Sequence, residues 1–401
     1  MDNNFDNYIS ESTKKMEHSF IRGILKLTKG IPNMISLAGG LPSPLSFPKK
    51  QLSEIYSDVI LNYGDDVLQY GQSEGDKIFK KAIRAFEEIE YLDDDDMVIT
   101  DGVSNAIYLY TRVMINSGEV IVCEAPTFPG SITTMEGCEA ELVGVEMDEE
   151  GMIPSKLRET LIRLKEENKT VKYLYLIPEF QNPTGRTMEL ERRRDIIKIA
   201  IEFDLPIFED QPYRELRFSG NRPKTIWELA RTEFNEPNLV TIAKSFSKIL
   251  GPGLRLGFAV GPKPIIGAMV KWLQKIIVSA GCVEQRVAAE FISRGYIKQQ
   301  IEKIINLYCP KRDVMVNALK KHMPNKVSWT VPDGGMFIWL TIPGTDTNAI
   351  FDKAIENKVA FVPGSNFYPK GTKRTDELRL NFSYADIEDI EEGIKRLSKL
   401  F

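Results

Sequence analysis

An α/β fold with a mostly parallel sheet is what this sequence predicts, on three observations. From about 75 to 260, short apolar runs alternate with segments of helical period. The residues able to do chemistry fall just after those runs: Gly102 and Ser104 after one, then Phe128, then Asn182, then Asp210 with Tyr213, then Lys248. Beyond about 285 the pattern shifts to one long helical stretch and separate strands, which predicts a smaller α+β unit.

The elements follow in order. Residues 1–35 read as an arm with a helix at 9–29, stopped by Gly30 and Pro32. ISLAGGLPSPLSF with Pro48 is rich in Gly and Pro and predicts an irregular loop. KIFKKAIRAFEEIEYL has helical period. MVIT (97–100) is a short strand, followed by Asp101-Gly102 and the helical VSNAIYLYTRVMI. VIVCEAPTF (120–128), KYLYLIPEF (172–180), LPIFEDQPY (205–213), NLVTIAKSFSK (238–248) and LRLGFAVG (254–261) predict strands with their turns, and ERRRDIIKIAIEF a helix. A long helix is expected through 283–321. Strands are then expected in VSWTVPDGGMFIWLTI (327–342), NKVAFVPG (357–364) and ELRLNFSYA (377–385), before a closing helix in DIEDIEEGIKRLSKLF. Consecutive parallel strands need right-handed crossovers, and ligands in such sheets sit at the carboxyl ends of the strands.

Composition removes several functions. The chain has 401 residues, 42% hydrophobic and 27% charged, which is ordinary for a globular protein and long enough for two domains. A net charge of −5 carries no electrostatic footprint for nucleic acid. Cys123, Cys138, Cys282 and Cys309 are scattered, and His18 is far from His322, so no metal site of grouped ligands is expected. Neither histidine lies near a nucleophile motif. MDNNFDNYISESTKK has no apolar core of a secretory signal, and no run reaches transmembrane length. A cytoplasmic protein with no membrane or nucleic-acid partner is the expectation.

The polar residues after the strands then need an account. Read alone, Asp210 in FED caps a turn as readily as it pairs with a buried cationic ring nitrogen. Lys248 is either a solvated charge or a Schiff-base amine, kept neutral by burial and by Arg255 seven residues on. Ser245, Ser247 and Arg255 could hold phosphate oxygens. Gly102-Val103-Ser104 opens a helix whose free N–H groups suit an anion. No GxGxxG or GxxxxGK[ST] accompanies it, which argues against nicotinamide and ATP sites of those types. Asn182 in NPTG is a turn residue or a donor to a ring oxygen, and Tyr213 could serve likewise. Phe128 is core or a stacking plane for a flat ring. Arg379 in LRLNF is internally paired or clamps a substrate carboxylate.

AGGLPSPLSFP, LQYGQSEG, EAPTF, PEFQNPTG, FEDQPY, SFSKILGPGLRLGF, PDGGMFIW, FVPGSNF and LRLNFS together closely resemble the class I/II aminotransferases of pyridoxal phosphate (PLP) fold type I. Within them the sequence is most similar to the 2-aminoadipate, kynurenine and aromatic aminotransferase branch. The resemblance runs from about residue 20 to the C-terminus. It implies a large domain with a mostly parallel seven-stranded sheet flanked by helices, plus a smaller α+β domain. Residues 1–45 would be an arm packing with the small domain and the active site, 46–285 the PLP-binding domain and 286–401 the small domain. PLP is the cofactor implied.

The resemblance also implies roles. Lys248 would bond the cofactor's aldehyde and later carry the substrate's α-proton. Asp210 would pair with the ring nitrogen, Asn182 and Tyr213 would hold the ring oxygen, and Phe128 would stack on the ring. Gly102, Val103, Ser104, Ser245, Ser247 and Arg255 would bind phosphate, with Tyr70 arriving from a second subunit of a homodimer. Arg379, Asn182 and Gly40 would hold the substrate's α-carboxylate. The sequence departs from the branch in having Phe128 where Tyr is frequent, and Val103, which offers only its N–H, in the phosphate turn.

The expected reaction moves the amino group of an L-amino acid to a 2-oxo acid, 2-oxoglutarate, by ping-pong transamination. The donor would be 2-aminoadipate or glutamate, an aromatic or a large aliphatic amino acid. Arg22, in the arm's IRGILK, is either a solvated helix charge or the partner of a side-chain carboxylate. The competing expectation is a PLP-dependent decarboxylase or β-lyase of the same fold. Arg379 argues against decarboxylation, because a carboxylate held in an ion pair is a poor leaving group.

Overall fold

The structure is a computed structural model that describes residues 5–14, 16, 20–372 and 374–401. Its centre is an eight-stranded mixed sheet. Across the sheet the strands run Met97–Thr100, Gly257–Val260, Val240–Ser245, Ile207–Gln211, Val171–Leu176, Val120–Ala125, Glu141–Asp148 and Gly151–Met152. The five strands from 240–245 to 141–148 pair in parallel. The 257–260 strand is antiparallel to both neighbours. The eighth strand corrects the expected seven. Asp148 Oδ1 accepts from Glu150 N at 2.9 Å, and this tight turn folds Gly151–Met152 back antiparallel onto 147–148 as a two-residue edge.

Alternation along the strands builds two cores. Val120, Val122, Leu174, Leu176, Ile207, Val240 and Ile242 face one side, under the helices Lys77–Glu87, Leu190–Glu202 and Ile226–Thr232. Ile121, Cys123, Tyr173, Tyr175, Phe208 and Ala243 face the other, under Val103–Met114 and Lys263–Ile276. The 77–87 helix starts where Asp76 Oδ1 accepts from Ile78 N and Phe79 N at 2.6 and 3.1 Å.

The smaller sheet has four antiparallel strands in the order Ser328–Trp329, Phe337–Thr341, Glu377–Asn381, Val362–Pro363. A further parallel pair, Ile35–Ser36 with Val359–Ala360, ties the segment after the arm to this part of the chain. The loop between 329 and 337 also leans on the larger unit: Phe218 N donates to Asp333 O and Gly335 N to Leu216 O, at 2.7 and 2.8 Å.

Several sequence expectations need revision. The helix at 9–29 is Glu11–Lys14 and Phe20–Thr28; residues 15 and 17–19, His18 among them, lie outside the described residues. The long helix at 283–321 is two, Cys282–Ser293 and Tyr296–His322, because Gly295 adopts φ 77° between them. The 327–342 run is two strands, Ser328–Trp329 and Phe337–Thr341, separated by a stretch in which Gly334 bridges to Arg217. The helix Lys49–Val67 and the strand Glu141–Asp148 have no counterpart in the sequence reading. Among the described residues no helix is long and apolar enough to cross a membrane, and no group of three His, Cys, Asp or Glu gathers to hold a metal.

Candidate active site

At the carboxyl ends of the parallel strands lies a cavity of about 290 Å³. The strand ends deliver its groups. Asp210 is the fourth residue of 207–211, and Tyr213 follows that strand. Ser245 ends 240–245, and the turn after it carries Ser247 and Lys248. Asn182 sits in the loop after 171–176, and Phe128 precedes the helix Pro129–Gly137. Val103 and Ser104 form the first turn of the 103–114 helix. Arg379 comes from the small sheet, Gly40 from the loop after 35–36, and Arg22 from the arm helix. Ile21, Leu25, Leu41 and Phe337 supply an apolar wall beside them.

Two expected residues lie elsewhere. Gly102 does not line the cavity; it sits against Arg255 with a φ of 80°, which glycine adopts freely. A Cβ there would stand 3.0 Å from Arg255 Nη2, and a Cβ on neighbouring Gly257 would stand 2.8 Å from Gly102 Cα. These two glycines let the turn and Arg255 close on each other. Tyr70 is 84% exposed and does not reach the cavity of its own chain.

The helix N-terminus at Val103 and Ser104, the hydroxyls of Ser245 and Ser247, and Arg255 line the cavity as donors that suit an anion. Arg255 is held by donating to Asp101 O at 2.9 Å and Pro252 O at 3.2 Å. Ser245 Oγ accepts from Ser247 N at 3.2 Å, which shapes the turn.

In the same cavity, Lys248 Nζ donates to Gly40 O at 3.0 Å. Burial, helped by Arg379 and Arg255, lowers its pKa to about 8. An amine so placed is neutral far more often than a surface lysine. Asp210 is 1% exposed; Tyr175 OH donates to its Oδ2 at 2.6 Å while Oδ1 is buried with no partner. Burial pushes this carboxyl up to about 7, against the pull of the Tyr175 phenol.

Arg379 is 1% exposed. It donates to Asn182 Oδ1 at 2.8 Å and Ala38 O at 2.7 Å, while its Nε has no partner. Its guanidinium lies 4.3 Å from the Phe337 ring centroid. Burial lowers its pKa to about 10, and Tyr213 opposes the shift. Asn182 Nδ2 reaches Tyr213 OH at 3.4 Å, and burial raises the Tyr213 phenol well above its usual range.

Buried residues behind the wall fix these loops. Gln181 accepts from Thr184 N and Oγ1 at 2.9 and 2.8 Å and donates to Pro126 O at 2.7 Å, so it ties the Asn182 loop to the Phe128 loop. Glu179, without exposed side-chain surface, takes Arg193, Arg214 and Arg217 together. Burial raises its pKa but the three guanidiniums, Arg214 foremost, outweigh that and hold it low. Sequence reading missed Tyr175, Gln181, Glu179 and Phe337. PEFQNPTG and PDGGMFIW did flag three of their neighbourhoods, but Tyr175 is one apolar-run residue among several until the strand register is known.

Pyridoxal phosphate makes three demands: a cradle for phosphate, an amine that is neutral when it reacts, and a fixed carboxylate for the ring nitrogen. The 103–104 turn with Ser245, Ser247 and Arg255 meets the first, Lys248 the second, and Asp210 with its unpartnered Oδ1 the third.

The comparisons with known proteins agree. The profile of the family described as aminotransferase class I and II matches residues 33–397. Aromatic-amino-acid aminotransferase 1 of Thermococcus litoralis is 39% identical over 400 residues, covering 98% of this chain and 94% of its own. The kynurenine aminotransferase of Pyrococcus horikoshii, solved with PMP and with kynurenine as substrate, superposes with a TM-score of 0.94 at 38% identity, over 99% of this chain and 98% of that one. The α-aminoadipate aminotransferase of Thermus thermophilus, solved with N-(5'-phosphopyridoxyl)-L-leucine, gives 0.90 at 31% identity, over 99% and 97%. Sequence profile, fold and the match of the cavity to the cofactor point one way, and the chain belongs to the class I and II aminotransferases, which work with pyridoxal phosphate.

Proposed function

We propose that this aminotransferase takes the amino group of 2-aminoadipate or glutamate, or of an aromatic or large aliphatic L-amino acid, and passes it to 2-oxoglutarate in two half-reactions. The observation that carries the reading is the convergence of Asp210, Lys248 and Arg379 on one cavity beside an apolar wall. Arg379, with the Asn182 side chain, takes the α-carboxylate and fixes which bond of the α-carbon faces Lys248. Lys248 Nζ, buried and near-neutral, would accept the α-proton and hold it for its return. Bound PLP supplies the electron sink for the charge left at the α-carbon. With PLP bound, Asp210 would keep the proton on the ring nitrogen, Asn182 and Tyr213 would hold the ring oxygen, and Phe128 would stack on the ring. Ser104, Ser245, Ser247, Arg255 and the 103–104 backbone would hold the phosphate.

Side-chain choice falls to Ile21, Leu25, Leu41 and Phe337, which suit apolar groups, and to Arg22, which suits a distal carboxylate. The names of the relatives, spanning aromatic amino acids, aminoadipate and kynurenine, support a broad choice. We further propose a cytoplasmic homodimer in which Tyr70 of one copy completes the phosphate site of the other. Leu61, Leu68 and Tyr70, at 79%, 69% and 84% exposure, are large apolar groups on one stretch that a second copy would cover.

Steady-state kinetics test the reading. With 2-aminoadipate and 2-oxoglutarate varied together, double-reciprocal plots are parallel, as two half-reactions on one site require. Intersecting plots, or carbon dioxide released without any oxo acid present, would contradict it; the second result is that of a decarboxylase.

A further inference from the structure

Tyr175 lies on the 171–176 strand, opposite Phe208 in the parallel register with 207–211. Residues two apart on a strand share a face, so Phe208 and Asp210 stand on the same side as Tyr175. The Tyr175 and Phe208 rings are near parallel, 16° apart with centroids at 6.1 Å, and this fixes the plane of the phenol. The phenol reaches along the face to Asp210 and donates to Oδ2 at 2.6 Å. An O–H···O⁻ bond of that length is charge-assisted. Tyr175 is fully buried, so no solvent competes for its hydroxyl. Its other neighbour is Ser131, whose hydroxyl donates to Phe128 O at 2.7 Å. One phenol thus links the carboxylate at the ring nitrogen to the turn that carries the stacking ring.

The rest of Asp210's setting disfavours a charge there. Burial raises the pKa of its carboxyl, and Glu124 stands behind it as a second buried acid, itself raised to about 8. Tyr213, on the cavity side, is a neutral phenol whose ionisation Asp210 opposes. The Tyr175 hydrogen bond is what favours the ionised carboxylate.

We propose that Tyr175 is a positioning residue for the cofactor's ring nitrogen: it holds Asp210 by Oδ2, keeps that carboxylate ionised, and leaves Oδ1 to accept the ring N–H. The proposal rests on the reading of Asp210 as the partner of the ring nitrogen. A phenol that only filled space would be replaced by Phe without consequence for that proton.

Holoenzyme reconstituted with PLP carrying ¹⁵N in its ring provides the test, with the ¹⁵N chemical shift reporting whether the nitrogen is protonated. The wild-type ring is expected to be protonated. In Tyr175→Phe the shift moves toward the unprotonated value and kcat falls roughly ten- to hundredfold, the range for a hydrogen bond to a charged group. The melting temperature is unchanged within a few degrees. A protonated ring that Tyr175→Phe leaves unmoved, at wild-type kcat, overturns this proposal alone. An unprotonated wild-type ring overturns the Asp210 reading and the proposal with it. Should Tyr175→Phe fail to fold, Tyr175→Met serves: a flexible apolar side chain that adapts to the buried space and likewise lacks the hydroxyl. The same ¹⁵N movement is expected, and none would overturn the proposal.

Discussion

Arg379 Nη1 donates to Asn182 Oδ1 across 2.8 Å, joining the 377–381 strand of the small sheet to the loop after the 171–176 strand of the large one. Asn182 Nδ2 continues the chain to Tyr213 OH. The group that would bind substrate and the groups that would hold the cofactor's ring oxygen are thus one hydrogen-bonded unit. Among the described residues Arg379 has no carboxylate partner, although it is buried. A buried, unpaired guanidinium is costly to the free enzyme, and a bound carboxylate offsets that cost.

Arg379→Leu is therefore expected to lower kcat/KM for every amino donor by at least about 100-fold, from a loss of about 3 kcal/mol in a buried, hydrogen-bonded charge pair. Cofactor affinity should stay near wild type, and the apoenzyme should melt no lower. Donor kinetics and a thermal melt check both. A loss confined to dicarboxylic donors would place the α-carboxylate elsewhere.

The two shifted groups give the apoenzyme opposite pH signatures. Asp210 binds its proton up to about 7 when folded, against 3.8 as a free carboxylate. The folded state holds more protons in that window, so this group's contribution to stability falls as pH rises from about 4 to 7. Lys248 loses its proton near 8 when folded, against 10.5 ordinarily. Its contribution is absent below about 8 and grows as pH rises to 10.5. Subtracting the melting curves of Asp210→Asn and Lys248→Met from wild type should show the first slope only below 7 and the second only above 8.

Tyr70→Phe tests the shared site. The expected outcome is a dimer in sedimentation equilibrium that releases PLP faster on dialysis than wild type. A fully active monomer would remove the role assigned to Tyr70.

Arg22→Ala should lower kcat/KM for 2-aminoadipate and leave that for leucine close to wild type. An exposed charge pair of modest strength predicts a change of roughly tenfold or less in the ratio. An unchanged ratio would return Arg22 to the role of a helix-surface charge.

The sequence made much of this site legible because its chemistry is local to strand ends. Asp210, Lys248 and Arg255 each lie within a few residues of an apolar run that had to be a strand, and the parallel-sheet rule gathers such ends. Elements set by tertiary contact were harder to read. Glu141–Asp148 is an exposed-to-half-buried strand near the sheet edge and lacks a full apolar pattern. The break at Gly295 depends on one positive φ within an otherwise helical stretch. Tyr175 could not be singled out, since its partner is 35 residues away and is reached only through the register of two neighbouring strands.

Transamination by this site is tested in a single half-reaction. PLP-loaded enzyme is mixed with 2-aminoadipate, with no 2-oxo acid present, and the cofactor spectrum and released oxo acid are recorded together. Complete conversion to the pyridoxamine form with one equivalent of 2-oxoadipate per site is expected. An unchanged spectrum with every donor class, or conversion without stoichiometric oxo acid, would contradict the assignment of Asp210, Lys248 and Arg379 to transamination.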